Sequence, residues 1–347
     1  MKRLITLLVA VVLIAAMLAG CGGGGGNAPS GTDFPTPENP IVLKMGYDPP
    51  PGDITDLAAN FFKDFVEEHT NGAVIIELYP QNQLGSMQQM LDGVLSGTIE
   101  IVLSPWNMLT TVMPEFNAMT LPFNIDNIDL YWRVVSGDEF HERVNELVNP
   151  RGVVFLGTPS GSPRSLITNS PVRVPDDLRG LNIRVMDGPI YTDMFNAWGA
   201  STAVISFAEV YTALQQGVVQ GLDSTPGMGV QMRFFEVANY FTPTNHIIHG
   251  VPMLINQTFW DRLSPEQQDI MRQAGREMEV FSAAAFTEIN DRNMQRGIDE
   301  FGMTVVEFTD ADLQLFIEAS RPVNERYRDI IGAEFFDWFM PYVDSLR

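Results

Sequence analysis

Cysteine is almost absent from this chain, with Cys21 alone in 347 residues, so no disulfide forms within it. Histidine is nearly as scarce. The four (His69, His141, His246 and His249) follow no His-x-x-x-His or Glu-flanked spacing, which leaves no zinc site and no metal expected. There is no Gly-x-Ser-x-Gly elbow and no nucleophile-base set, so covalent catalysis has no obvious agent. The glycines of 22–26 have no strand before them and no helix after, which excludes a phosphate loop. Asp176-Asp177, next to Pro175, reads as a turn and not as paired catalytic acids. Positive charge is short as well: 21 Lys and Arg against 43 Asp and Glu give a formal net charge of -22. Such acidity argues against nucleic acid and anionic lipid surfaces as partners. The expectation is a protein that is not an enzyme and carries no cofactor.

What is present begins with a leader. Lys2 and Arg3 precede an apolar run over 4–17, then Leu18-Ala19-Gly20-Cys21. A positive end, a short apolar core and small residues before a cut are the plan of a secretory signal, and the run is short for a membrane span. Leu-Ala-Gly-Cys also matches the bacterial lipobox, which predicts a lipid anchor on Cys21; the alternative is an ordinary signal and a free thiol. Residues 22–40 are rich in Gly, Pro and Ser and read as a flexible tether.

The whole chain is 45% hydrophobic, and the remainder is long enough for two cores. Strands are predicted over 41–47, 74–78, 99–103 and 153–157, with helices between the first three, the plan of a parallel α/β sheet. Thr158 to Pro163 is a plausible crossing between domains. Beyond it, strands over 166–168, 182–185, 203–205 and 218–223 alternate with helices over 190–198 and 207–216 as a second lobe. The apolar run 246–256 reads as a strand returning to the first. Ser264-Pro265-Glu266-Gln267 starts a helix that runs unbroken by proline to about Gln295. A short strand over 303–307, a helix from Thr309 and an aromatic helix over 335–342 close the chain. The expected division is a leader over 1–21 and a tether over 22–40, then lobe I over 41–160 with about 252–310. Lobe II takes about 161–251 with 311–347.

The central stretch 160–226 carries the functional signal. Around Asn182-Ile183-Arg184-Val185, strand alternation sends Ile183 and Val185 to one side and Arg184 to the other. A guanidinium offers five donors in a planar fork and suits bidentate capture of a carboxylate. Arg184 is therefore the first site candidate and Arg164, at the crossing, the second. Asp223 and Ser224 end a predicted strand, where open α/β sheets present ligand groups; Asp223 either orders Arg184 or accepts from a ligand hydroxyl. Trp106, after another strand end, stacks on the ligand or fills the core, and the same pair of readings applies to Phe207. Gln83 and Tyr47 are weaker candidates from loops of the first lobe. His249 reads as a hydrogen-bonded structural histidine.

Several stretches are similar to the solute-binding proteins of TRAP (tripartite ATP-independent periplasmic) transporters. They are Tyr79-Pro80 with Gln83-Leu84-Gly85, Leu121-Pro122-Phe123, Arg164 with Leu166-Ile167-Thr168-Asn169, and Gly180-Leu181-Asn182-Ile183-Arg184-Val185. The longest is Glu209-Val210-Tyr211-Thr212-Ala213-Leu214-Gln215-Gln216-Gly217-Val218-Val219, followed by Phe259-Trp260 and Leu263-Ser264-Pro265-Glu266. The resemblance covers roughly 41–327. It implies an α/β, two-lobed periplasmic-binding-protein-like fold, each lobe a sheet flanked by helices, with the long helix spanning both. It also implies that Arg184 clamps a ligand carboxylate and that the closed form meets a TRAP membrane permease. Gln220-Gly221-Leu222-Asp223-Ser224-Thr225-Pro226 and Pro159-Ser160 depart from the family pattern, which places an asparagine after the first turn and often a tryptophan and an acid at the second. An ABC-type or sensory receptor is the nearest alternative, and an exported hydrolase or lyase acting on a carboxylate is a more distant one.

Overall fold

A computed structural model describes residues 34–347. The leader, Cys21 and the tether up to residue 33 lie outside the described residues. The tether's end is not free as expected: Gln267 Nε2 donates to the Pro35 carbonyl at 2.8 Å, and Thr36 bridges Asn39.

The described residues hold eleven strands. The first four are β1 (Ile41–Gly46), β2 (Val74–Tyr79), β3 (Ile101–Leu103) and β4 (Val153–Gly157). Next come β5 (Gly161–Thr168), β6 (Asn182–Val185), β7 (Ser201–Val204) and β8 (Gly221–Ser224). The last are β9 (Tyr240–Gly250), β10 (Met253–Asn256) and β11 (Thr304–Val305). They form two sheets, ordered β2-β1-β3-β10-β4 and β11-β9-β5-β8-β6-β7. In the first, β1 is parallel to both β2 and β3, and β10 runs antiparallel between β3 and β4. In the second, β6 is parallel to β7 and β8, while β5 is antiparallel to β8 and β9. The chain is thus an α/β protein with two lobes, one per sheet.

Local sequence explains the elements. In β1, Ile41, Leu43 and Met45 are buried while Val42 and Lys44 face out, a period of two. Helix α1 (Ile54–His69) covers this sheet, capped by Asp53, whose side chain accepts from Thr55 N, and ends with Asn71 and Gly72 at positive φ. The predicted single strand over 246–256 is two strands in different sheets. Pro252 lacks the N–H that a continuous ladder needs, and Val251-Pro252 becomes a crossing. The other strand crossing is Thr158-Pro159-Ser160. It is shorter than predicted, because β5 already begins at Gly161 and takes in Pro163 and Arg164.

A third connection is helix α2 (Pro265–Phe301), of 37 residues and so about 55 Å long. Ser264 and Gln267 form its capping box. Its first half packs on α1, with Phe281 stacked on Phe61 at 4.9 Å. Its second half packs on Pro226–Gln231 in the other lobe. Gly275 lets the helix touch the β4 backbone, since a side chain there would collide with the Leu156 carbonyl. Two bonds tie α2 to the crossing: Thr158 N donates to Glu279 Oε1 at 2.8 Å, and Ser282 Oγ donates to the Pro159 carbonyl at 2.7 Å.

The helix Asp310–Ile331 touches residues of both expected lobes. Trp198 Nε1 donates to Ser320 Oγ at 2.9 Å, and Asn324 Nδ2 to the Pro122 carbonyl at 2.9 Å. Separate apolar cores back the first sheet (Leu43, Phe62, Met271) and the second (Leu222, Phe234, Phe241). A larger core joins residues from both, including Trp106, Leu166, Val185 and Phe316.

Candidate functional site

A cleft of about 620 Å³ lies between the sheets, a size within the range of small-molecule sites. Its walls come from residues that follow the carboxyl ends of strands: Asp48 after β1, Pro105 after β3, Met186 after β6, Ser206 after β7 and Thr225 after β8. Open α/β sheets place ligand sites at such ends. Ser160 and Val251, from the two crossings, also line it.

Both predicted arginines reach the cleft from the second sheet, in different electrostatic states. Arg164, in β5, is 4% exposed; its Nε donates to Asp223 Oδ2 and its Nη2 to the Asp223 carbonyl. The pairing follows the antiparallel register that sets β5 beside β8. Burial opposes ionisation of Asp223, but the Arg164 guanidinium outweighs it and holds the carboxyl well below its usual range. His246 Nε2 lies 3.6 Å away, beyond hydrogen-bond length, and burial keeps that imidazole neutral.

Arg184, in β6, is also 4% exposed, with Ile183 and Val185 in the core on the opposite face, as alternation predicts. Its Nε donates to the Ile205 carbonyl at 2.9 Å, and no carboxylate of the described residues lies within ion-pair distance. The terminal nitrogens of the fork are left for the cleft. Burial lowers its pKa to about 10, so the cation persists at neutral pH.

The other candidates separate. Ser224 and Phe207 line the cleft, Phe207 with its ring edge-on to Phe234 at 5.9 Å. Asp223 does not line it; the carboxyl is fully buried behind Arg164, and the arginine it orders is that one and not Arg184. Trp106 is 2% exposed and stands off the cleft among Phe116, Phe140 and Phe155. Behind β9 it packs where a side chain on Gly250 would collide with its indole. Tyr47 is buried, its hydroxyl donating to Asp56 Oδ1 at 2.7 Å. Gln83 is exposed beside the cleft, and its neighbour Asn82 faces in. Gln81 and Asn82 both hold positive φ, 53° and 58°, a rare backbone state that aims this loop.

Four titratable cleft residues, His249, Asp48, Asp53 and Asp187, had no place among the sequence candidates. His249, expected to be structural, lines the cleft, and burial keeps its imidazole neutral by lowering the pKa to about 3. Asp48 and Asp53 line the wall facing the arginines. Burial raises the Asp48 pKa to about 6, Asp53 adds to the rise, and Arg184 opposes it. Asp48 follows the end of β1 as Trp106 follows β3, so the same strand-end rule points to it, whereas Asp53 lies beyond the intervening loop as the cap of α1. Among the described residues, no group of three or more His, Cys, Asp or Glu is placed to hold a metal ion, and no helix is long and apolar enough to cross a membrane.

Comparison with known proteins places this architecture. A family model described as bacterial extracellular solute-binding protein, family 7, matches residues 45–329. The C4-dicarboxylate-binding periplasmic protein DctP of Rhodobacter capsulatus is 27% identical over 303 residues, covering 86% of this chain and 90% of that one. The 2,3-diketo-L-gulonate-binding periplasmic protein YiaO of Escherichia coli K12 is 29% identical over 279 residues, 80% of this chain and 84% of that one. The crystal structure of a TRAP periplasmic solute-binding protein of Pseudomonas putida F1 with bound D-glucuronate superposes with a TM-score of 0.81. It is 25% identical, and the match covers 88% of this chain and 97% of that one.

Proposed function

The chain belongs to family 7 of the bacterial extracellular solute-binding proteins, and on that premise we propose that it captures an organic acid between its lobes and delivers it to a TRAP-type membrane permease. The observation that carries this reading is Arg184: a buried cation with an unpaired fork at a cleft wall. A ligand carboxylate supplies the partner the protein withholds, at about 1.5–3 kcal/mol per charged hydrogen bond. Arg164, already paired with Asp223, stands beside it, and Ser224, Phe207 and His249 shape the surroundings. Closure about the crossings at 158–160 and 251–252 excludes water and strengthens the arginine contacts.

Capture without turnover is the reading that the family of solute-binding proteins supports. The lipobox Leu-Ala-Gly-Cys supports export and anchoring through Cys21, in the periplasm or at the outer cell surface. A thermal-shift screen against monocarboxylates, dicarboxylates, sugar acids, amino acids and neutral sugars tests the proposal. A ligand at about 100-fold over its Kd stabilises by about 2.7 kcal/mol, so carboxylates shift the transition. Shifts from neutral sugars alone would refute carboxylate capture.

A further inference from the structure

We infer that the cleft selects a polyhydroxylated monocarboxylate, and that Asp48 determines this specificity by accepting from a ligand hydroxyl and repelling a second carboxylate. The inference rests on carboxylate capture by Arg184.

The two walls differ in their charged groups: the second-sheet wall holds Arg164 and Arg184 beside Asp187, whereas the first-sheet wall holds only acids, Asp48 and Asp53. The cleft's arginines, Arg164 and Arg184, both belong to the second sheet, and neither Lys nor Arg lines the wall built from the first. Asp48 stands on that first-sheet wall, and no side chain or backbone N–H among the described residues donates to its carboxylate. Three backbone donors nearby are already used. Gly52 N bonds Asp56 Oδ2 at 2.9 Å, Thr55 N bonds Asp53 Oδ1 at 2.9 Å, and Asn82 N bonds the Tyr47 carbonyl at 3.1 Å. An anion reaching this wall finds two carboxylates and no free donor among these groups, whereas a hydroxyl finds an acceptor.

The neutral polar groups on the same side, Asn82, Ser86 and Gln88, both donate and accept, which suits several hydroxyls better than a single charge. Arg164 does not restore a second anion site, since Asp223 neutralises it. A dicarboxylate held by Arg184 would therefore bring its far charge against Asp48, with like charges disfavouring one another in a partly desolvated space.

Titration calorimetry on the intact protein tests this with D-glucuronate, D-gluconate, succinate and L-alanine. The expected result is a sugar acid bound at least about tenfold tighter than succinate or L-alanine, the scale of one charge-assisted hydrogen bond. Asp48→Asn keeps the side-chain shape and is expected to weaken the sugar acid about tenfold while tightening succinate. A wild-type preference for succinate or L-alanine, or an unchanged ratio in Asp48→Asn, overturns the inference. Arg184→Ala separates the two readings. If it abolishes binding while Asp48→Asn leaves the ratio alone, carboxylate capture stands and only the specificity falls. If no probe binds, or Arg184→Ala changes nothing, both fall.

Discussion

Arg164 and Arg184 are the same side chain, equally buried, on two strands of one sheet with β8 between them, yet they do different work. Arg164 meets a fully buried carboxylate across the β5–β8 ladder and finds its partner inside the protein. Arg184 meets only a backbone carbonyl and keeps its fork for the cleft. Burial of a cation does not by itself mark a binding site. What marks it is a charge whose partner the fold omits.

The contrast can be broken by mutation, and the largest effect belongs to the paired arginine. Asp223→Ala leaves Arg164 buried without its counter-charge and is expected to cost about 3–5 kcal/mol in denaturant unfolding. Arg184→Met, by contrast, removes a cation that has no acid partner and leaves stability within about 1 kcal/mol of wild type. Equal losses in the two variants would erase the distinction.

The acidic groups sharpen the comparison through pH. Asp223 has a depressed folded pKa, so its stabilisation is present above the ordinary carboxylate range and is lost as pH falls below it. Asp48 has the opposite sign. Its folded pKa is raised to about 6, so its contribution is most favourable at low pH, declines as pH rises from about 4 to 6, and is level above. Asp48→Asn is therefore expected to be more stable than wild type at pH 7.5 by about 1–2 kcal/mol, with the gap closed near pH 4. Thermal unfolding across that range reads it directly; a gap independent of pH would mean that Asp48 is not desolvated as the cleft geometry implies.

Much of this molecule is legible in its residues. Alternation fits β1 and turned Arg184 in β6 away from the core, a continuous apolar run marked β4, and the Ser264–Gln267 signature marked the start of the long helix. The split of 246–256 was also readable, because Pro252 sits in the middle of the run. What the chain order concealed was pairing at a distance. Arg164 and Asp223 are 59 residues apart, and only the ladder between β5 and β8 decides which arginine Asp223 serves. The same holds for Trp106 and Tyr47, which stand near strand ends but turn inward. Trp106 fills the space opposite Gly250, and Tyr47 bonds Asp56 on the helix that follows. Their less conspicuous neighbours, Asn107 and Asp48, line the cleft instead.

Arg184 as the carboxylate anchor is tested most directly by one titration: the best carboxylate from the thermal screen, measured calorimetrically against wild type and Arg184→Ala. The expected result is a loss of about 100-fold or more in affinity, near 2.7 kcal/mol, with little change in Tm. Equal affinity in the two proteins would contradict it and return Arg184 to a structural role on the sheet.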